Sequence, residues 1–274
     1  MVLALITICV WYAVFAEDRS GILTVSFLTI GQGDAIFIDA PSGRQVLIDG
    51  GPNRSVLREL SRVMPWYDRS IDVVIATHPD ADHINGLVDV FSRYTVSYAM
   101  QSSVQDPGGP DEVALERAIA EEEGVQKMTA QRGLIIDLGD GAYIEILFPD
   151  RGVSHVETNT GSIVARLVYG DTSLMLTGDS PQTIEKYLVQ LDGARLESNV
   201  LKAGHHGSRT SSSLLFVGFV SPDDAVFSRG CDNSYGHPHQ EVVDLFKRFN
   251  IPTLDTCTDG RVTFVSDGQK VTRK

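Results

Sequence analysis

Residues 77–87 read THPDADHINGL and place His78, Asp80, Asp82 and His83 within six consecutive positions. The apolar run before them, IDVVIATH (71–78), predicts a buried strand that ends in the cluster. HINGLVDVFSRY (83–94) has helical spacing and predicts a helix that starts beside it. A strand-to-helix turn folds short side chains toward one point. Imidazoles and carboxylates without thiolate suit Zn, Mn or Fe and argue against a cysteine-held structural zinc. A polar loop with an aspartate capping the next helix would explain one His and one Asp. It does not explain four ligands in six residues.

Outward from this stretch, short apolar runs alternate with helical patterns. GILTVSFLTI (21–30), IFIDA (36–40) and RQVLIDGG (44–51) predict strands, with Pro41-Ser42-Gly43 as a hairpin turn. Asn53 to Met64 predicts a helix. VSYAM (96–100) predicts a strand, 104–110 a polar loop, and DEVALERAIAEEEG (111–124) an acidic helix ending at Gly124, whose charge reads as a solvated face. AYIEILFP, SIVARLVYG, SLMLTGD, SNVLKAGHHGS and DAVFSRG predict further strands. SPQTIEKYLVQL, SSLLFVGFV and EVVDLFKRFN predict helices, and GRVTFVSDGQKVTRK a terminal hairpin. Strands and helices mix throughout, and several strands end in polar residues. This pattern predicts a one-domain α/β sandwich whose strand-end loops build a single site.

Those strand ends supply the remaining candidates. Asp179 closes an apolar strand after Gly178, as a metal ligand or as a turn residue. His205 and His206 stand together in AGHHGS, where one would ligate metal and the other move a proton. Lys202 reads either as a partner for a phosphate oxygen or as a snorkelling surface lysine. His237 in SYGHPH is the expected last metal ligand. His239 reads as a helix-start residue and His155 as a loop residue without a role. Asp34 in GQGD and Asp49 in LIDGG are expected to orient the ligands.

Composition narrows the class. The 274 residues are 42% hydrophobic and 22% charged, as in ordinary globular proteins. The net charge of −13 repels nucleic acid, so a phosphodiester substrate would need bound cations or a local basic patch. Arg54, Arg58 and Arg62 recur at helical spacing, which a solvent face explains. Cys9, Cys231 and Cys257 form no CxxC pair and read as inert thiols, and spacing alone does not argue for a Cys231–Cys257 bridge. Val2 to Ala16 is apolar throughout, short of the ~20 residues of a comfortable membrane span and without a basic start. Residues 1–18 are therefore expected to be a membrane anchor, a signal, or the tail of a longer membrane segment, ahead of a hydrolase domain at 19–274.

The quoted cluster resembles the metallo-β-lactamase superfamily signature His-x-His-x-Asp-His. LIDGG resembles that family's early strand and turn, and LTGD the strand that carries its metal-bridging aspartate. FLTIGQGDAIFI, THPDADHINGL, NTGSIVARLVYG, LKAGHHGS and SYGHPH more closely resemble the metallo-hydrolase domain of the ComEC/Rec2-type bacterial DNA-uptake channels, over roughly residues 20 to 265. The resemblance implies an αββα sandwich of two mixed sheets flanked by helices. It also implies two divalent metals, Mn or Zn with Mg as an option, held by His78, Asp80, Asp82, His83, Asn159, Asp179, His205 and His237. Asp80 and Asn159 stand where many members have histidine. The oxygen of Asp80 favours a harder metal, and that of Asn159 is a weaker ligand. Asp82 would help orient the nucleophile, a histidine of the 205–206 pair would serve the leaving oxygen, and Lys202 would meet phosphate. The implied substrate is DNA, single-stranded, outside the cytoplasmic membrane of a bacterium. Membrane contact would run through the N-terminal segment, with competence-channel subunits as partners.

Two other readings compete. One is a metallo-hydrolase of a small ester, lactam or phosphodiester. The other is a membrane-tethered, non-catalytic metal-binding assembly module. A flavodiiron oxidoreductase is disfavoured, because nothing in the chain suggests a flavin site.

Overall fold

The computed structural model describes Thr7 and residues 21–274. The expected membrane segment or signal, residues 1–18, lies outside the described residues apart from Thr7. Among the described residues no helix is long and apolar enough to cross a membrane.

Two mixed sheets lie face to face. The first runs β15 (Val271–Arg273), β14 (Val262–Ser266), β1 (Leu23–Phe27), β2 (Ile36–Asp39), β3 (Gln45–Ile48), β4 (Ser70–Ala76), β5 (Thr95–Gln101), β6 (Gln126–Thr129). The second runs β13 (Thr253–Asp255), β12 (Asp224–Phe227), β11 (Val200–Lys202), β10 (Thr172–Leu176), β9 (Val164–Tyr169), β8 (Ala142–Phe148), β7 (Ile135–Gly139). In each sheet one part is an antiparallel meander, and the other pairs in parallel: β3 to β6 in the first and β10 to β13 in the second. Parallel neighbours need crossovers, and six helices supply them. These are α1 (Ser55–Val63), α2 (Ala81–Phe91), α3 (Pro110–Glu121), α4 (Gln182–Asp192), α5 (Leu214–Val220) and α6 (Gln240–Arg248). The expected αββα architecture is observed.

The strands are apolar on both faces because both faces are covered. Val25, Phe27, Ile36, Ile38, Val46, Ile48, Val73 and Ile75 meet Ile144, Ile146, Leu167, Leu174, Leu176, Val200 and Val226 between the sheets. The alternate residues Phe37, Leu47 and Val74 pack outward on α1, α2 and α3 through Leu60, Leu87 and Ile119. Leu147, Met175, Leu201 and Phe227 do the same under α4, α5 and α6 through Leu188, Phe216 and Phe246. Period two along the strands and period 3.6 along the helices therefore describe the same three apolar layers.

Three strands escape the sequence reading. Gln126–Thr129 is an edge strand with only Met128 partly buried. Ile135–Gly139 is an edge strand in which only Leu138 is fully buried, and Thr253–Asp255 is only three residues long. None carries an apolar pattern to read. The cysteine expectation is corrected: Cys231 and Cys257 form a disulfide with Cα atoms 5.0 Å apart. It ties the loop that carries His237 to the turn between β13 and β14.

All the parallel strands point their carboxyl ends at one rim, where open α/β sheets place their ligands. Asp49 follows β3, Thr77 and His78 follow β4, Asp179 follows β10, Ala203 follows β11 and Ser228 follows β12. At this rim the sheets are stitched by Ile163 N–H to Thr77 O at 3.0 Å and Ser228 Oγ to Gly33 O at 2.9 Å. Helix α2 is held against the turn after β3. Gly50 N–H donates to His83 O at 2.7 Å, and Gly86 N–H donates to Gly51 O at 2.8 Å. A Cβ on Gly86 would stand 1.9 Å from Gly50 O, so only glycine allows this approach.

Gly86→Ala is therefore expected to overpack backbone on backbone and cost about 1–3 kcal/mol of stability. A urea unfolding curve with an unchanged midpoint would show that α2 is not clamped to the β3 turn.

Candidate metal centre

Asp49 is the first fixed point. It is fully buried with a left-handed φ of 58°. Its carboxylate accepts Thr77 N–H at 2.8 Å and Thr77 Oγ1–H at 2.7 Å, and it pairs with His83 Nδ1 at 2.8 Å. With Nδ1–H donated to Asp49, His83 keeps its Nε2 lone pair for the rim, 3.3 Å from Asp179 Oδ2. Thr77 Oγ1 lies 3.0 Å from His78 Nδ1. Its own proton goes to Asp49, so it accepts from that ring, and His78 Nε2 is left 3.6 Å from Asp80 Oδ2.

The second sheet supplies the opposite side. After β11, His205 and His206 both take left-handed backbone, with φ of 49° and 56°. Such positions cost about 1–3 kcal/mol each in non-glycine residues and cluster at functional sites. The turn sends the two rings different ways. His206 is buried, and its Nδ1 donates to Ser228 O at 2.8 Å. Its Nε2 lies 3.3 Å from both Asp82 Oδ2 and Asp179 Oδ2. His205 stays one-quarter exposed, with Nε2 3.6 Å from Asp179 Oδ2 and Nδ1 3.2 Å from Thr210 Oγ1.

The Nε2 atoms of His78, His83 and His206 are buried without a hydrogen-bond partner, as are Asn159 Oδ1 and His237 Nδ1. Buried polar atoms are rarely left this way. Each of the three rings has its Nδ1 on an oxygen and presents a bare Nε2 among carboxylates, which is the form in which imidazole binds a metal. The residues present fit a divalent cation. Asp34, His83, Asp179 and His206 each offer one ligand atom, all within 4.8 Å of one another. Within that set, Asp34 touches the far side of the His206 ring, at Nδ1, 3.3 Å away. It also grips Lys202 Nζ at 2.5 Å. Asp34 therefore stands behind His206, and Asp82 is the carboxylate on the ligand side of that ring.

The structure brings His78, Asp80, Asp82, His83, Asp179, His205 and His206 to this rim. Thr158, in the turn that carries Asn159, hydrogen-bonds Asp80. The His237 ring centroid lies 5.4 Å from that of His205. His239 accepts Arg209 N–H at 3.1 Å and His155 is exposed, as their sequence readings expect. Lys202 requires a correction. It is 0% exposed and neither snorkels nor faces a substrate. It donates to Gly178 O at 2.7 Å and lies 3.4 Å from Asp179 Oδ1, beside its pair with Asp34. A buried lysine needs such partners to stay charged, and these hold Asp34 and Asp179 in place. Sequence reasoning missed Thr77, although it directly precedes the first ligand. No side-chain signal marks Ser228, because it acts through its carbonyl.

The charges are coupled. Burial opposes ionisation of Asp179, but His206, His83 and Lys202 outweigh it and hold the carboxyl well below its usual range. Burial is likewise outweighed at Asp82, whose carboxyl falls to about 2 through His206 and His83. Burial disfavours the charged forms of His83 and His206, yet Asp179 with Asp49, and Asp179 with Asp34, raise both well above 6.5. His205 is lowered by burial, and His237 falls to about 4 through burial and the neighbouring His205, His206 and His239. Without a cation, protons on His83 and His206 balance the carboxylates, so a metal enters by displacing them.

The Metallo-beta-lactamase superfamily model matches residues 28–230. ComE operon protein 3 of Bacillus subtilis is 30% identical over 88% of this chain and 32% of its own length. Competence protein ComA of Neisseria gonorrhoeae is 31% identical over 85% of this chain and 31% of its own length. Recombination protein 2 of Haemophilus influenzae is 27% identical over 96% of this chain and 32% of its own length. The chain spans about a third of the length of these relatives. Among solved structures, Igni18, a metallo hydrolase from Ignicoccus hospitalis, superposes with a TM-score of 0.57 at 17% identity. That match covers 88% of this chain and 98% of Igni18, a likeness of fold.

The metal-free protein has raised folded-state values at His83 and His206 against 6.5 in the unfolded chain. Their stabilisation is complete below pH 6.5 and is lost as pH rises through the folded values. In EDTA the urea midpoint is expected to fall from pH 6.5 upward, and saturating Mn²⁺ or Zn²⁺ is expected to abolish that fall. A midpoint that rises with pH in EDTA would contradict the assigned charge balance.

Proposed function

The chain belongs to the metallo-beta-lactamase superfamily, and we propose that it is a metal-dependent hydrolase that cuts phosphodiester bonds in single-stranded DNA. The observation that carries this reading is the convergence of three buried imidazole Nε2 atoms on carboxylates: His83 and His206 on Asp179, His206 also on Asp82, and His78 on Asp80. The competence and recombination names of the relatives support DNA as the substrate.

Asp82, His83, Asp179 and His206 would hold one divalent cation. His78, Asp80 and Asn159 would hold a second, with Asp179 shared between them and His237 as the remaining donor. Mixed nitrogen and oxygen donors suit Mn²⁺ or Zn²⁺, with Mg²⁺ as an option. Such ions lower the pKa of water and neutralise charge on a phosphoryl oxygen. They also answer the repulsion that a chain of net charge −13 presents to DNA.

The protein's own part is positional. Asp80 and Asp82 have about a third of their side chains exposed, so the rim is open to substrate on their side. Asp82 orients the attacking water. His205 is held neutral by burial and stays partly open, so it can pass a proton to or from the leaving oxygen at Nε2. Asp49 and Lys202 fix His83 and Asp179 and touch no substrate. The domain would act outside the cytoplasmic membrane, tethered through the N-terminal apolar run and working with competence-channel subunits.

Cleavage of single-stranded DNA by the purified protein is expected with Mn²⁺ and lost in EDTA. Asp179→Asn and His206→Ala should each lower it by at least about 100-fold, and Asp49→Asn by about 10–100-fold. Turnover of nitrocefin with no cutting of DNA would replace this reading with a lactam hydrolase. Metal uptake without turnover of any ester would leave the assembly module.

A further inference from the structure

Beside the metal centre lies a cleft of about 370 Å³ that the hydrolytic residues do not use. It opens at the carboxyl ends of β4, β5 and β6, under the first turns of α3, and His78 forms its boundary with the centre. Pro79, Val104 and Met128 give it apolar walls. Three of its polar groups are committed to one another. Lys127 Nζ pairs with Glu116 Oε2 at 2.7 Å, and Glu116 also accepts a hydrogen bond from Gln101. Among the described residues Glu112 has no basic partner within ion-pair distance. Its Oε2 accepts Asp106 N–H at 2.9 Å, and partial burial lifts its carboxyl above the usual range.

These features select a ligand. A phosphate is rejected, because the one lysine is neutralised and an uncompensated carboxylate remains. A purely apolar group would bury Glu112 with the Asp106 N–H as its one donor in the structure and leave the other oxygen unpaired. A flat ring between apolar walls with adjacent N–H donors on its edge satisfies both demands, since a carboxylate accepts on both oxygens. Guanine presents N1–H and N2–H side by side, and cytosine presents N4–H, a group that Glu and Asp accept in nucleic-acid recognition. Thymine offers the same carboxylate one donor, N3–H, flanked by two carbonyl oxygens that repel it.

We propose that this cleft is a subsite for an amino-bearing nucleobase, guanine foremost, read by Glu112 at a nucleotide flanking the phosphodiester bound at the metal centre. The assignment rests on the proposed nuclease reading only for the word flanking; the recognition chemistry belongs to the cleft itself. The base edge it reads is hidden in a duplex and free in a single strand, so the subsite selects strandedness as well as sequence.

The test titrates the full chain, in EDTA, with deoxyguanosine and with thymidine by calorimetry, beside a DNA-cleavage assay with Mn²⁺. Deoxyguanosine is expected to bind at least about fivefold more tightly than thymidine, and Glu112→Gln is expected to erase that preference. Lys127→Ala, at an exposed edge-strand position, should keep or sharpen the preference; it carries the test if Glu112→Gln does not fold. Equal binding, no binding of either nucleoside, or loss of the preference in Lys127→Ala overturns the subsite, whether or not DNA is cut. Selective binding that Glu112→Gln abolishes, in a protein that cuts no DNA, upholds the base site and overturns the nuclease reading.

Discussion

The rim is organised by one buried carboxylate. Asp49 takes the main-chain and hydroxyl protons of Thr77 and the Nδ1 proton of His83. Those contacts tie the end of β3 to the end of β4 and to the first turn of α2. They also fix which nitrogen of His83 is bare, and through the Thr77 hydroxyl they fix His78 as well. Moving Asp49 would release two ligand rings and the strand-to-helix turn between them. The glycines at 50 and 86 serve the same constraint, since they let α2 come close enough for His83 to reach Asp49.

Across the rim, Lys202 plays the matching part for the second sheet. It is fully buried and shared among Asp34, Asp179 and the carbonyl of Gly178. A buried cation is costly unless its oxygens are already in place, and here they are the residues that must not move. The centre is thus a lattice of alternating charges in which the His78, His83 and His206 rings are each backed by an oxygen acceptor. On the proposed reading, an acidic protein would hold an anionic substrate at such a place through cations concentrated at the centre rather than spread over the surface.

Much of this was legible in the chain. THPDADHINGL announces strand, turn, helix and four candidate ligands, because short-range spacing alone brings those groups together. The apolar strands were legible where both faces are covered. The edge strands 126–129 and 135–139 were not, because an edge strand carries little apolar pattern to detect. Lys202 was misread because its counter-charge, Asp34, sits on another sheet and no local pattern announces the pair. The same holds for Cys231 and Cys257, whose meeting depends on where β12 and β13 end. The difference between His205 and His206 lies in two left-handed residues, and a sequence of two adjacent histidines does not encode which ring turns inward.

The seam between the sheets has a temporal meaning as well. The first sheet's crossovers carry His78, Asp80, Asp82 and His83, while Asp179, His206 and His237 come from the second. Neither half holds a complete donor set. The early crossovers alone therefore bring together only part of the proposed donor set, which is complete only where Asp179, His206 and His237 dock against them. On the proposed reading, a nascent or misdocked chain lacks part of its donor set, and any turnover would report that the two sides of the rim have met.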